Sequence, residues 1–397
     1  MTRHSRIHPY PAMIADPLAI YISDRFVKPQ STVLDPFCGT ARTLIAAAEK
    51  GAYCVGLDIN PLAICIARAK AAHPAVKELE TVMKRIPVRV TSDVMFDLQP
   101  NRTVKWFSRR AIAQLSELIS FVNTLKVRRD TLSVVSTILS ATVREVSYCR
   151  KNQWKLHRMR AAARRKYWVS PLSVFKRRLR SFINERTKLQ KLPGRFRLLR
   201  GDARELVNVL HGHGQPDKYD LIVTSPPYGD SQTTVSYGGM SSVCLGMLRH
   251  LSHVRLSYVR GGALDQLCLG GRLQQPSRQL ARQVRRYWRV SSAMMEDRRV
   301  TSYLYDLQLC CSQIKRVSRR GTILVLVMAR RSVFGRRVYT DRFLTDQLRA
   351  YGFSLEEVIS RRIRKRNMPL AIDRNGAGQG TKRTTTIRRE LILIYKR

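Results

Sequence analysis

Two consecutive prolines, Pro226 and Pro227, terminate an apolar run that opens at Asp220 and continues through Leu221, Ile222 and Val223. Neither proline can donate a ladder hydrogen bond, so the run is a strand that must stop near Thr224. Its end then carries the hydroxyl of Ser225, the carbonyls of a stiff Pro-Pro loop and the ring of Tyr228, followed by Gly229 and Asp230. Ligands of open α/β sheets bind beyond the carboxyl ends of the strands. This set of groups suits a flat molecule that carries an amino group. A stiffened turn with a packing tyrosine is the plain alternative, and the rest of the chain has to decide between them.

Two more strands end in acids. Thr32-Val-Leu-Asp35 reads as a strand, followed by the glycine-bearing Pro36-Phe-Cys-Gly-Thr-Ala-Arg42 and a helix from Thr43 to Lys50 that Gly51 closes. Ala52 to Asp58 is the next strand, and Asn60-Pro61 supplies the cap and first-turn proline of a helix through Ala72. A strand, glycine loop, helix, strand and acid in this order bind an adenosine-containing cofactor. The loop backbone approaches the ligand and the second acid takes the ribose hydroxyls. The loop has neither a G-x-G-x-x-G series nor a G-K-[ST], so a ligand with a sulfonium and a carboxylate is expected rather than a pyrophosphate. Upstream, His8-Pro-Tyr-Pro11 leads into a helical pattern carried by Ile14, Leu18, Ile20, Tyr21 and Phe26.

Downstream, Phe196 to Gly201 is a strand ending in a third acid, Asp202, placed to accept from an exocyclic amine of adenine. Gly229 to Gly239 is polar and loop-like, as a clamp over a substrate would be. Helices are predicted over Val300–Arg319 and Thr340–Tyr351, and strands over Gly321–Ala329, Phe353–Ser360 and Glu390–Tyr395. Seven strands alternating with helices give an α/β class with one mainly parallel sheet. Residues 1–75 form the cofactor half and 196–397 the catalytic half. Between them, residues 76–195 form a helical insertion.

Charge is the other strong signal. The 397 residues hold 73 Lys+Arg against 28 Asp+Glu, a formal net charge of +45. So basic a chain calls for a polyanionic partner, nucleic acid first. The insertion concentrates the cations (Arg109-Arg110, Arg128-Arg129, Arg164-Arg165-Lys166, Lys176-Arg177-Arg178) and interleaves Trp154, Tyr167 and Trp168, so its outer face is expected to meet phosphates. No run of about 18 apolar residues marks a membrane span. No signal peptide is evident, and the eight cysteines include no C-x-x-C pair. A cytoplasmic protein with reduced thiols, no membrane partner and no metal site is the expectation.

Taken together, His8-Pro-Tyr-Pro11, Asp35-Pro-Phe-Cys-Gly-Thr40, Gly56-Leu-Asp-Ile-Asn-Pro61 and Thr224-Ser-Pro-Pro-Tyr-Gly-Asp-Ser-Gln-Thr-Thr-Val-Ser-Tyr-Gly238 resemble bacterial site-specific DNA methyltransferases that modify an exocyclic amine. The Ser-Pro-Pro-Tyr form looks most like the cytosine-N4 branch. Lys365-Arg-Asn-Met-Pro369, Asn375 and the closing Arg389-Glu-Leu-Ile-Leu-Ile394 are similar to that family's C-terminal pattern. The resemblance implies a Rossmann-like class I methyltransferase fold, S-adenosylmethionine as cofactor, double-stranded DNA as substrate and a cognate restriction endonuclease as partner. It implies that Asp35 and Gly39 lie against the methionine part, with Tyr10, Phe37 and Thr40 nearby, Asp58 on the ribose and Asp202 on the adenine. Ser225 and the Pro226 carbonyl, backed by Pro227, would accept from the target amine, and Tyr228 would stack on the base. In one place the chain departs from the family. Gly39-Thr-Ala-Arg-Thr43 replaces a Gly-Ser-Gly-Thr-Thr loop, which sets a methyl at Ala41 and a charge at Arg42 beside the cofactor. If position 41 needs φ > 0, alanine there costs roughly 1 kcal/mol. Adenine-N6 methylation, RNA guanine-N2 methylation and binding without catalysis stay open beside the cytosine-N4 reading.

Overall fold

A computed structural model of the chain describes residues 7–11, 13–91, 104–150, 156–230, 235–254, 261–273, 278–288, 298–333, 336–363, 371–372, 384–385 and 389–397. Helix α1 (Asp16–Phe26), with Pro17 in its first turn, leads into strand β1 (Thr32–Asp35). Helix α2 (Arg42–Glu49) gives way to Gly51, whose φ of +85° only glycine adopts cheaply. After β2 (Tyr53–Asp58), the Asn60 side chain accepts from the Leu62 amide and Pro61 opens α3 (Pro61–Ala71), the start that the sequence predicts.

Helices α4 (Val76–Lys84), α5 (Arg109–Asn123), α6 (Arg129–Val146), α7 (Ala161–Arg165) and α8 (Pro171–Arg186) make up the insertion. The sheet then resumes with β3 (Arg195–Arg200), α9 (Leu206–Gly212) and β4 (Tyr219–Thr224). Four helices follow, α10 (Tyr237–Leu248), α11 (Gly261–Leu267), α12 (Arg278–Trp288) and α13 (Arg298–Val317), and then β5 (Ser318–Met328). The hairpin β6 (Arg331–Val333) and β7 (Arg336–Val338) precedes α14 (Thr340–Ala350) and β8 (Ser354–Arg362). The short pair β9 (Ala371–Ile372) and β10 (Thr384–Thr385) comes before the last strand, β11 (Arg389–Lys396).

Seven strands form one sheet in the order β3-β2-β1-β4-β5-β11-β8. All neighbours are parallel except β11, which runs antiparallel to both β5 and β8. This is the class I methyltransferase sheet expected from the sequence. From β1 the chain first builds outward through β2 and β3, then returns to place β4 on the other side of β1. The gap between the carboxyl ends of β1 and β4 is therefore the topological switch point, where an open sheet binds its ligand. In register, Val33 faces Leu221 and Leu34 faces Ile222.

Alternate residues of each strand go to opposite faces. Val33, Cys54, Leu221 and Val223 pack with Leu18 of α1, Leu44 of α2 and Ile64 of α3. Leu34, Val55 and Ile222 pack with α9, α13 and α14 through Leu206, Leu304 and Phe343. The insertion has a third core, which it shares with α3 and α10: Leu115, Leu139 and Phe175 cluster with Ile66 and Met247. It is anchored to the sheet domain along that seam, and all eight cysteines are free thiols.

One expectation changes. The loop from Gly229 to Gly239 ends early, because α10 starts at Tyr237 with Ser236 as its cap, accepting from Gly239 N at 3.2 Å. Residues 231–234 of that loop, the Lys365–Pro369 motif, Asn375, Gly376 and Trp154 lie outside the described residues.

Gly194 shows how tightly the insertion rejoins the sheet. A Cβ there would stand 2.3 Å from the Ala52 carbonyl oxygen and 2.8 Å from Ala48 Cα. Gly194→Ala is therefore expected to lower stability by about 2 kcal/mol. Gly212→Ala, where no atom stands within 4 Å of the new methyl, should stay within about 0.5 kcal/mol of wild type. Urea denaturation of both variants checks the pair.

Candidate active site

Asp35 occupies the switch point. Its Oδ1 accepts from Thr224 Oγ1 of β4 at 2.7 Å and from the Phe37 amide at 3.1 Å, and its Oδ2 accepts from Thr43 Oγ1 of α2 at 2.9 Å. Both oxygens are thus engaged within the protein, and the side chain is buried. Burial pushes its pKa up to about 7 against the pull of these three donors. The resemblance sets Asp35 against the methionine part. Here its carboxylate is the tie between the glycine loop and the Ser-Pro-Pro-Tyr strand end.

Asp58 organises the glycine loop from the next strand. Its Oδ2 accepts from the Gly39 amide at 2.9 Å and its Oδ1 from the Asn60 amide at 2.8 Å. Burial raises its pKa to about 6, and the two amides act in the opposite sense, so it is mostly ionised at neutral pH. Asn60 does more than cap α3. Its amide nitrogen donates to Tyr10 Oη at 2.9 Å and to Ser241 Oγ of α10 at 2.8 Å. The His-Pro-Tyr-Pro segment is fixed a second time at His8. Burial drives the pKa of this imidazole down to about 3, so it is neutral. With Nδ1 donating to the Pro9 carbonyl at 2.8 Å, Nε2 is left to accept from Ser140 Oγ at 3.0 Å.

Ala41 does sit in the left-handed region, at φ 61° and ψ 32°, the conformation for which the family uses glycine. Its methyl, however, is fully buried in the core beside α1 and α2 and does not stand in the cofactor's way. Arg42, which lines the space beside the glycine loop, donates to the Ile14 carbonyl at 2.9 Å and pairs with Asp16 at 3.3 Å, which anchors the segment before α1. Beneath the loop the buried Lys70 donates to Thr40 Oγ1 at 2.8 Å. Burial, then the nearby Arg42, lowers its pKa to about 7. Sequence reasoning missed this lysine, which reads as one more polar position of α3.

At the end of β4, the Pro-Pro loop is held from behind. Tyr303 of α13 donates to the Pro227 carbonyl at 2.6 Å, and the buried pair Arg331–Asp230 closes at 2.8 Å just beyond it. Ser225 Oγ points to Tyr228 Oη at 3.4 Å, and Tyr228 Oη donates to Glu390 of β11 at 3.2 Å. Neither Tyr303 nor Glu390 carries a local signal, because each reaches the loop from a distant part of the chain.

A cavity opens over the switch point. Tyr10, Phe37, Gly39, Asp58, Asp202, Ser225 and Pro227 all line it. Asp35 and Thr40 line an adjoining space, which shares Tyr10, Phe37, Gly39 and Ser225 with the first. Pro226 and Tyr228 line neither. Tyr237, from the stretch read as a clamp, adds to the wall with Leu267 and Leu269, for which the sequence carried no signal. Asp202 arrives already paired. Arg204 reaches it through Nε at 3.0 Å and also holds Asp306 at 2.9 Å.

The chemistry of this wall suits S-adenosylmethionine. In a chain of net charge +45, a cavity lined by the half-buried carboxylate of Asp58 favours a cation. Asp58 can accept from hydroxyls, and Phe37 with Leu267 and Leu269 offers apolar surface to a flat ring.

Comparison with known proteins points the same way. Residues 9–115 match the thiopurine S-methyltransferase family. The type II methyltransferase M.MvaI of Kocuria varians is 26% identical over 403 aligned residues, covering 92% of this chain and 85% of that protein. M.MjaII of Methanocaldococcus jannaschii is 30% identical over 83 residues, 21% of this chain and 16% of that one, a local match. Among solved structures, the precorrin 8w decarboxylase from Methanobacterium thermoautotrophicum overlays 98% of this chain and 97% of its own at 10% identity, with a TM-score of 0.35, too loose a likeness to carry weight. The resemblance to DNA methyltransferases read from the motifs is thereby borne out, and the chain is a methyltransferase that uses S-adenosylmethionine.

Proposed function

We propose that the chain is a site-specific DNA methyltransferase of a restriction–modification pair, which methylates the exocyclic N4 amine of a cytosine flipped out of duplex DNA. One observation carries the reading: Asp35 ties the Ser225–Tyr228 strand end to the glycine loop, so a group held at Ser225 lies beside a cavity suited to the methyl donor. Ser225 in place of an aspartate favours cytosine over adenine by resemblance alone. The basic insertion supports a nucleic-acid substrate, since Arg109, Arg165, Lys166, Lys176 and Arg180 are exposed and Arg110 stacks over Trp168 at 4.2 Å.

When bound, S-adenosylmethionine supplies an electrophilic methyl group. The amine it meets is a poor nucleophile, because its lone pair is delocalised into the ring. Ser225 Oγ and the Pro226 carbonyl accept from its two N–H groups, which favours rehybridisation and stabilises the charge that grows on nitrogen. Tyr303 fixes the Pro-Pro unit, so these acceptors are set before the base arrives. A base stacked in a duplex cannot reach them, which makes flipping obligatory and gives Tyr228 an aromatic face to offer.

Incubation with labelled S-adenosylmethionine and duplex DNA, followed by nucleoside analysis, tests the reading. Label in N4-methyldeoxycytidine is the expected result; label in N6-methyldeoxyadenosine moves the target to adenine, and no labelled nucleoside overturns the enzyme reading. Ser225→Ala should lower kcat on the order of 10²-fold.

Cofactor affinity should also depend on pH. Asp58 must be ionised to attract a cationic ligand, and its pKa is raised to about 6. Affinity measured by calorimetry should therefore weaken as pH falls through this value, approaching about tenfold per unit below it. Asp58→Asn should bind more weakly at about pH 8 and lose this step.

A further inference from the structure

Methylating an amine leaves one proton too many on nitrogen. The cavity wall around Ser225 offers a route for it. Ser225 Oγ donates to Tyr228 Oη at 3.4 Å, and Tyr228 Oη donates to Glu390 Oε1 at 3.2 Å. The first link is long, as such links are before a substrate tightens them. Glu390 stands opposite Arg361 in the β11–β8 register, and its other oxygen holds the Arg361 guanidinium. Its side chain is 14% exposed and that of Arg361 32%, so the route ends where water can reach it.

We propose that Ser225, Tyr228 and Glu390 form a proton exit path for the methyl-transfer step. The inference rests on the amine-methylation reading above. As the C–N bond forms and the C–S bond breaks, the amine proton passes to Ser225 Oγ. Ser225 releases its own proton to Tyr228 Oη, and Tyr228 releases its own to Glu390. One sulfonium charge disappears and one carboxylate charge is neutralised, and the proton leaves Glu390 for water in exchange for the starting state. The direction of the two bonds already matches. With each hydroxyl proton pointing toward Glu390, the lone pairs of Ser225 are left to receive from the amine.

The path also gives Tyr228 two separable functions, a ring face for the base and a hydroxyl for the relay. Burial, then the Glu390 charge, raises the Tyr228 pKa well above its ordinary value. The phenol therefore never rests as an anion, and it passes a proton only by receiving another. Glu390 acts through Tyr228 and touches neither base nor cofactor. Arg361 steadies it without blocking the oxygen that faces Tyr228.

Glu390→Gln separates relay from scaffold, because glutamine still accepts the tyrosine hydrogen bond but cannot take up a proton. Tyr228→Phe keeps the ring and removes the hydroxyl. In single-turnover assays with the full-length enzyme, saturating cofactor and cognate duplex, each variant should slow methyl transfer at least about tenfold. The double variant should be no slower than the worse single one. Glu390→Asp, which restores a carboxylate, should recover part of the rate lost in Glu390→Gln. Cofactor affinity, and the fluorescence of a 2-aminopurine placed at the target position, should match wild type in both single variants. Wild-type rates in Glu390→Gln would overturn the path, as would additive losses in the double variant. If wild type itself labels no nucleoside, the amine-methylation reading has failed instead. Melting curves identify a variant that does not fold, in which case Glu390→Asp and Tyr228→Phe decide.

Discussion

Asp35 has both carboxylate oxygens engaged by its own protein, and through them it joins the two halves of the site. Thr224, Thr43 and the Phe37 amide converge on it from β4, α2 and the glycine loop. Burying this acid is unfavourable in its charged form, which is why its pKa climbs to about 7. The sign follows by linkage. Between the unfolded value near 4 and the folded value near 7, the native state holds the proton more tightly than the unfolded chain. The contribution of this group to stability is then fully present below that window and is lost as pH rises through it. What the fold gains in return is geometry, two strand ends from opposite sides of the switch point held as one unit.

Around that unit the charges are sorted by sign. A chain with a +45 excess keeps half-buried carboxylates at its cavity, at Asp58 and at the Arg204-paired Asp202, and exposes cations on the insertion. An acidic pocket in a basic protein discriminates between a cationic small molecule and a polyanion, which would otherwise compete for the same cleft. The departures at Ala41 and Arg42 fit this division. The methyl belongs to the core, and the guanidinium belongs to Asp16 and the Ile14 carbonyl.

Local rules made most of the fold legible. The buried strands are continuous apolar runs cut by glycine or proline, and helix α3 announces itself through Asn60 and Pro61. The acids at strand ends named the cavity, because a strand's last residue points at the switch point whatever the rest of the chain does. The partners of those acids were not legible. Thr224 reaches Asp35 across 189 positions, and Glu390 reaches Tyr228 across 162. No periodicity or motif records contacts of that range; only the strand order brings β4 beside β1 and β11 near the Pro-Pro loop. For the same reason the sequence showed Asp35 as a strand-end acid but not as the tie between β4, α2 and the glycine loop.

The account stands on that tie joining the cofactor loop to the amine-binding strand end, and Thr224→Val addresses it directly. The substitution keeps the shape of the side chain and removes one of the three donors to a buried carboxylate, a loss of about 1.5 to 3 kcal/mol. Calorimetric affinity for S-adenosylmethionine and the single-turnover rate of methyl transfer should be measured on the same preparation. If Asp35 couples the two halves, both should fall by on the order of tenfold or more. Wild-type affinity together with a wild-type rate would contradict the account.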